Sequence, residues 1–246
     1  AAPDVLRGES EAGRSLVSRH GRWLLLLFAG LLLPMWGFLE LADEVREAEA
    51  FGFDEPILLF ANQMARDGYD TVFLFFSAIG YQWGVVPFDI ALVACLAWLR
   101  RFRDSVFAAV TLGGSALLNM ASKAFFARDR PSLWESIAPE HNYSFPSGHA
   151  MGSMTLAVVL VALAWSTRRR WPVLAAMLVF VPMVGLSRIY LGVHYPSDIL
   201  AGWAAALAWA VGVYLVVYRR VRSPRGTPST SRSLARTVRI RRPLSS

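Results

Sequence analysis

The residues best placed to do chemistry fall at three points in the chain. Lys123, the only lysine in the sequence, is separated by six residues from Arg130. Pro146-Ser147-Gly148-His149 stands immediately before an apolar run. Arg188 is followed after five residues by His194, and His194 after three more by Asp198. Ser147 is a natural helix cap, and Gly148 permits a close backbone approach. The unpaired amides and the dipole of a helix beginning there attract an anion. A second helix start reads from His194-Tyr195-Pro196-Ser197-Asp198, with Pro196 in the first turn. Two helix N-termini joined by Lys123, Arg130 and Arg188 suit a dianionic phosphoryl group.

Hydrolysis of a phosphate ester needs charge neutralised on the equatorial oxygens, an in-line nucleophile and a proton for the leaving oxygen. The cations and amides meet the first need. Neutral His194, oriented by Asp198, can attack phosphorus, and protonated His149 can serve the leaving group and then activate water. No metal or other cofactor is expected. The surrounding cations repel a divalent ion, and the chain has neither a His-Glu-x-x-His segment nor an acidic cluster beside these histidines.

The elements that must position these groups are membrane helices. The chain is 55% hydrophobic with a mean hydropathy of +0.40, and long uncharged stretches alternate with short charge-dense ones. The uncharged runs are 23–39, 90–99, 105–122, 150–167, 171–187 and 199–218. Extended back to Trp83, the second also reaches spanning length. An all-α bundle of six transmembrane helices is therefore expected, with the first span uncleaved. Residues 54–80 read as one or two short surface helices after that span. The expected organisation is a cytoplasmic segment over 1–22, a six-span domain over 23–220 and a basic, disordered cytoplasmic tail over 221–246.

Orientation follows from the arginines. Arg7, Arg14, Arg19 and Arg22, the clusters Arg100–Arg103 and Arg168–Arg170, and the tail all fall on one side if both termini are cytoplasmic. The remaining six basic residues are Arg46, Arg66, Lys123, Arg128, Arg130 and Arg188. The last four gather with His149 and His194 at outer helix ends, where polar groups point to function. The net charge of +7 therefore marks membrane flanks rather than a nucleic-acid partner. Cys95, the single cysteine, excludes an internal disulfide. Arg128 could join the cradle or face headgroups, and Asp89 could tune the site or reach for water. Asn119 is expected to hydrogen-bond between helices, His141 to lie in a loop and His20 on the cytoplasmic flank. Trp134 and Tyr143 could cover the headgroup or sit at the interface.

Together these motifs resemble the type 2 phosphatidic acid phosphatase superfamily, over roughly residues 70–220. Lys123 through Arg130-Pro131, Pro146 to His149, and Ser187-Arg188 with His194 and Asp198 match its three signatures in order, with no signature position substituted. The resemblance implies a helical bundle with metal-free phosphohistidine chemistry. It assigns Lys123, Arg130, Ser147, Gly148 and Arg188 to phosphate binding, His149 to the acid, and His194 with Asp198 to the nucleophile. Similar bacterial proteins act on undecaprenyl diphosphate, phosphatidylglycerol phosphate and phosphatidic acid. Undecaprenyl diphosphate at the periplasmic face of the inner membrane is the first expectation here, and a broad phosphatase is the alternative. A phosphotransferase or an anionic lipid transporter are rivals of other classes.

Overall fold

The structure, a computed structural model, describes residue 21 and residues 23–218. The expected amino-terminal segment, His20 and the basic tail lie outside the described residues. Among those described, all regular structure is helical. Helix α1 spans Trp23–Arg46 and contains a π-helical stretch at Leu26–Leu32. It is followed by α2 (Asp54–Gln63), α3 (Asp67–Ile79), α4 (Val85–Trp98) and α5 (Phe102–Phe126). A long connection then leads to α6 (Gly148–Ala164), α7 (Arg170–Tyr190) and α8 (Pro196–Val217).

The six apolar runs read from the sequence coincide with α1 and α4–α8. By length and composition, α1, α5, α7 and α8 are able to cross a membrane. Helices α4 and α6 are apolar but shorter, at 14 and 17 residues, a rise of about 21 and 25 Å. The 54–80 region forms two helices rather than one. Arg66 and Asp70, at the start of α3, are tied to Tyr190 at the end of α7 through its hydroxyl.

Packing departs from the pattern of a water-soluble protein. Trp36, Phe88, Ile90, Leu178 and Val216 are exposed, whereas Thr111, Ser115, Asn119, Ser153 and Thr155 are buried. That is the arrangement lipid favours, because apolar side chains gain nothing by hiding from hydrocarbon while small and polar ones bind helices together. Helix α6 is central, packed against α5, α7 and α8. The Ser115 and Thr155 hydroxyls hydrogen-bond at 2.7 Å between α5 and α6. At the α6–α8 crossing, a Cβ on Gly202 would lie 2.9 Å from the Ser147 carbonyl oxygen, so glycine sets how closely these helices meet. At the far end from the histidines, Arg103 donates to the terminal carbonyl of α8, Val217, at 2.6 and 3.1 Å.

Candidate active site

Four helix ends deliver the site residues. Lys123 lies in the last turn of α5 and Arg188 in the last turn of α7. Gly148 and His149 open α6, and Asp198 lies in the first turn of α8. Residues 127–147 and 191–195 complete the ring with Arg130 and His194. The chain reverses between α7 and α8 in only five residues. Gly192 makes this possible with φ of +67°, a left-handed conformation, beneath Trp134, whose ring atoms would lie 2.5 Å from an added Cβ. Ser147 caps α6, its Oγ accepting from the Ala150 amide at 3.4 Å. Asn119 holds the entry to α6 by donating to the Pro146 carbonyl at 3.1 Å. Its amide also donates to Met151 Sδ in α6 at 3.7 Å, the interhelical bond expected of it.

His194 is fully buried. Its Nδ1 lies 3.3 Å from Asp198 Oδ2 and 3.3 Å from Ser144 Oγ. Its Nε2 lies 3.1 Å from Arg130 Nη1, a cationic donor, which requires a lone pair on Nε2 and places the ring proton on Nδ1. Burial holds this imidazole well below its usual pKa, and the nearby Arg130, Arg188 and Lys123 charges press in the same direction. The ring is therefore a neutral base. Asp198 Oδ2 also accepts from the Tyr195 amide at 2.9 Å and from the Ser144 hydroxyl, so the same carboxylate closes the first turn of α8 and orients the ring.

On the other side of His194, Arg130 donates Nη1 to the Val193 carbonyl, Nε to the Asn142 carbonyl at 2.6 Å and Nη2 to Glu140 Oε2 at 2.7 Å. Arg188 is 1% exposed, and it donates to the Ser77 hydroxyl and to Glu140 Oε1. Its Nε has no hydrogen-bond partner among the described residues. His149 Nδ1 stands 4.0 Å from the same Glu140 oxygen, with Tyr81 stacked at a tilt against its ring. Lys123 donates to the Tyr143 carbonyl, which Arg130 also reaches at 3.4 Å. Lys123, Arg130, His149, Arg188, His194 and Asp198 thus belong to one cluster, and the Ser147 amide, donating to the Asp198 carbonyl at 3.1 Å, brings the Ser147–Gly148 start of α6 beside it.

Arg128 takes neither expected position. It turns away from the cations to pair with Asp198 Oδ1 at 2.6 Å and Asp54 Oδ2 at 3.0 Å, with its guanidinium 4.1 Å from the centre of the Tyr195 ring. Asp54, at the start of α2, is buried and also accepts from the Ser197 amide at 2.9 Å. Asp54, Ser144 and Glu140 are the members that sequence reading missed. Asp89 Oδ1 is buried with no hydrogen-bond partner among the described residues, on the wall of a cavity of about 60 Å³ shared with Tyr81, Asn119 and Gly148. Trp134 packs against the Gly192 turn, while His141 and the Tyr143 side chain are exposed in the connection before α6.

Residues 104–222 match the PAP2 superfamily. The chain is 28% identical to phosphatidylglycerophosphatase B of Bacillus subtilis (strain 168), over 69% of this chain and 86% of that protein. It is 27% identical to an undecaprenyl-diphosphatase of Sulfolobus acidocaldarius, over 74% of this chain and 84% of that one. The crystal structure of the first transmembrane PAP2 type phosphatidylglycerolphosphate phosphatase from Bacillus subtilis superposes with a TM-score of 0.66 at 25% identity, covering 78% of this chain and 98% of that chain.

Proposed function

The chain belongs to the PAP2 superfamily and is a membrane lipid phosphatase, and from that premise we propose that it works through a phosphohistidine on His194, without a metal. The observation that carries this reading is the placement of the ring, its Nδ1 directed at Asp198 and its Nε2 at Arg130. In the first step His194 Nε2 bonds to phosphorus as the bond from phosphorus to the lipid oxygen breaks. His149 gives its proton to that oxygen. Lys123, Arg130 and Arg188, with Ser147 and the Gly148 amide, hold the equatorial oxygens. A water then attacks the phosphohistidine and passes its proton to His149, the phosphorus–nitrogen bond breaks, and inorganic phosphate leaves. Local charge of this sign disfavours a divalent ion at the same place.

His194→Ala should abolish both turnover and an acid-labile phosphoenzyme while the purified chain remains folded. Full activity in that variant would rule His194 out as nucleophile. For the lipid, undecaprenyl diphosphate hydrolysed to undecaprenyl phosphate is the first candidate, and broad action on phosphatidylglycerol phosphate and phosphatidic acid is the second. The names of the two relatives support one each. Side-by-side rates on the three lipids decide between them, with undecaprenyl diphosphate expected fastest.

The proposed setting is a bacterial membrane, crossed six times by residues 23–220. Both termini and the basic end segments are cytoplasmic, and the site faces outward. The arginine distribution supports this orientation. Single cysteines at Ser136 and Thr167 in a Cys95→Ser background should react with impermeant label from opposite sides. Reaction of both from one side would refute it.

A further inference from the structure

The sequence offers no motif for Glu140, yet its carboxylate occupies the middle of the cation cluster. One oxygen pairs with Arg188 and stands 4.0 Å from His149 Nδ1, while the other lies 2.7 Å from Arg130 Nη2. We infer that Glu140 is a resident competitor for the phosphate cradle: its carboxylate fills the anion position until a phosphoryl group displaces it, and its return helps to expel inorganic phosphate. This rests on the reading of Lys123, Arg130 and Arg188 as phosphate ligands.

Three observations support it. First, the partners of Glu140 are the groups placed to grip a phosphoryl group, and guanidinium groups bind carboxylate and phosphate oxygens through the same geometry. Second, the fit is incomplete. A carboxylate has two oxygens and a phosphoryl group three, and Arg188 keeps a buried Nε donor with no partner among the described residues. Third, the mountings differ in kind. Arg188 is 2% exposed on the side chain and fixed on α7, whereas Glu140 is 27% exposed in the helix-free connection between α5 and α6. A dianion and a carboxylate cannot share one position at low cost, so the more loosely held group yields. When phosphate departs, the carboxylate restores charge balance to buried cations that are costly to leave unpaired.

The test uses the full chain in nanodiscs with inorganic phosphate as the probe. Phosphate affinity is read by the phosphate-dependent shift in Tm and by competitive inhibition of lipid phosphate hydrolysis. Glu140→Gln keeps the shape and removes the charge. If the carboxylate occupies the cradle about nine-tenths of the time, Glu140→Gln should bind phosphate about tenfold tighter and lower the KM for the lipid phosphate. Glu140→Asp, too short to bridge both guanidinium groups, should shift affinity in the same direction by less, and carries the measurement if the glutamine variant does not purify folded. Unchanged or weaker phosphate binding in both variants overturns the inference, as does a loss of turnover at saturating substrate with phosphate affinity unaltered. Because binding needs no turnover, the two readings fail separately. Tighter phosphate binding in a chain that hydrolyses no lipid phosphate removes the proposed reaction and keeps the competitor. Brisk hydrolysis without tighter binding does the reverse.

Discussion

His194 and Asp198 stand between two charge networks that use the same residue types to opposite ends. Behind them, one guanidinium, Arg128, serves two carboxylates, Asp198 at 2.6 Å and Asp54 at 3.0 Å, and both are nearly sealed from solvent. In front, Arg130 and Arg188 converge on one carboxylate, Glu140, with Lys123 close by. The rear network has more anions than cations and its partners lie on helix starts, so it closes on itself and fixes geometry. The front network has more cations than anions, and its single carboxylate sits on a connection. Stoichiometry, more than residue type, separates a structural clamp from an anion site. Arg128 and Arg130 show this at a separation of two residues.

The sharpest way to break the comparison is to truncate each arginine in turn. Arg130→Ala should cost about 10²–10³-fold in turnover, the scale of losing a donor aimed at transition-state charge. It should lose less stability than Arg128→Ala, since Glu140 retains Arg188. Arg128→Ala should instead lose about 3–5 kcal/mol of stability, because two buried carboxylates are left uncompensated. Denaturant titration and single-turnover kinetics on both variants check the pair, and exchanged outcomes would erase the distinction between the networks.

A smaller effect sharpens it through pH. Burial, followed by the cations Arg130, Arg188 and Lys123, depresses the His194 pKa in the folded chain. The unfolded chain, with an ordinary histidine near about 6.5, therefore binds the extra proton first as pH falls. The stability contributed by neutral His194 is full above that value and is lost progressively towards the lower folded one. The acid limb of kcat/KM should accordingly lie below about pH 6.5. Arg130→Ala removes a repelling charge and should move that limb upward, measured as a pH–rate profile. An unmoved limb would show that Arg130 does not act on the ring.

Much of this was legible before any fold was seen. Apolar run length marked α1 and α5–α8, and the short run at 90–99 became α4 only when extended past Pro87 and Asp89, both of which lie inside that helix. That Lys123, Arg130, Arg188 and the two histidines gather at helix ends was readable because helix-end chemistry needs particular residues at short spacings. Glu140, Ser144 and Asp54 were not, because their partners are distant in sequence. Asp54 meets Ser197 across 143 positions, and Glu140 meets Arg188 across 48. Nothing local distinguishes a carboxylate that will be buried from one that will face water. The place of Arg128 stayed open for the same reason, since its pairing with Asp54 depends on α2 folding over the site.

The order of the residues along the chain adds a consequence for biosynthesis. Asp54 comes from the second helix, Arg128 and Arg130 from the middle connection, and His194 and Asp198 from just before and just within the last helix. No nascent chain that stops short of α8 contains Asp198, the carboxylate facing His194 Nδ1, and until it arrives Arg128 lacks one of its two counter-charges. Assembly and competence are thus completed by the same event, the docking of α8 between α1 and α6. On the proposed phosphohistidine reading, a truncated or half-inserted product is inert rather than loosely active, a useful property for an enzyme surrounded by lipid phosphates.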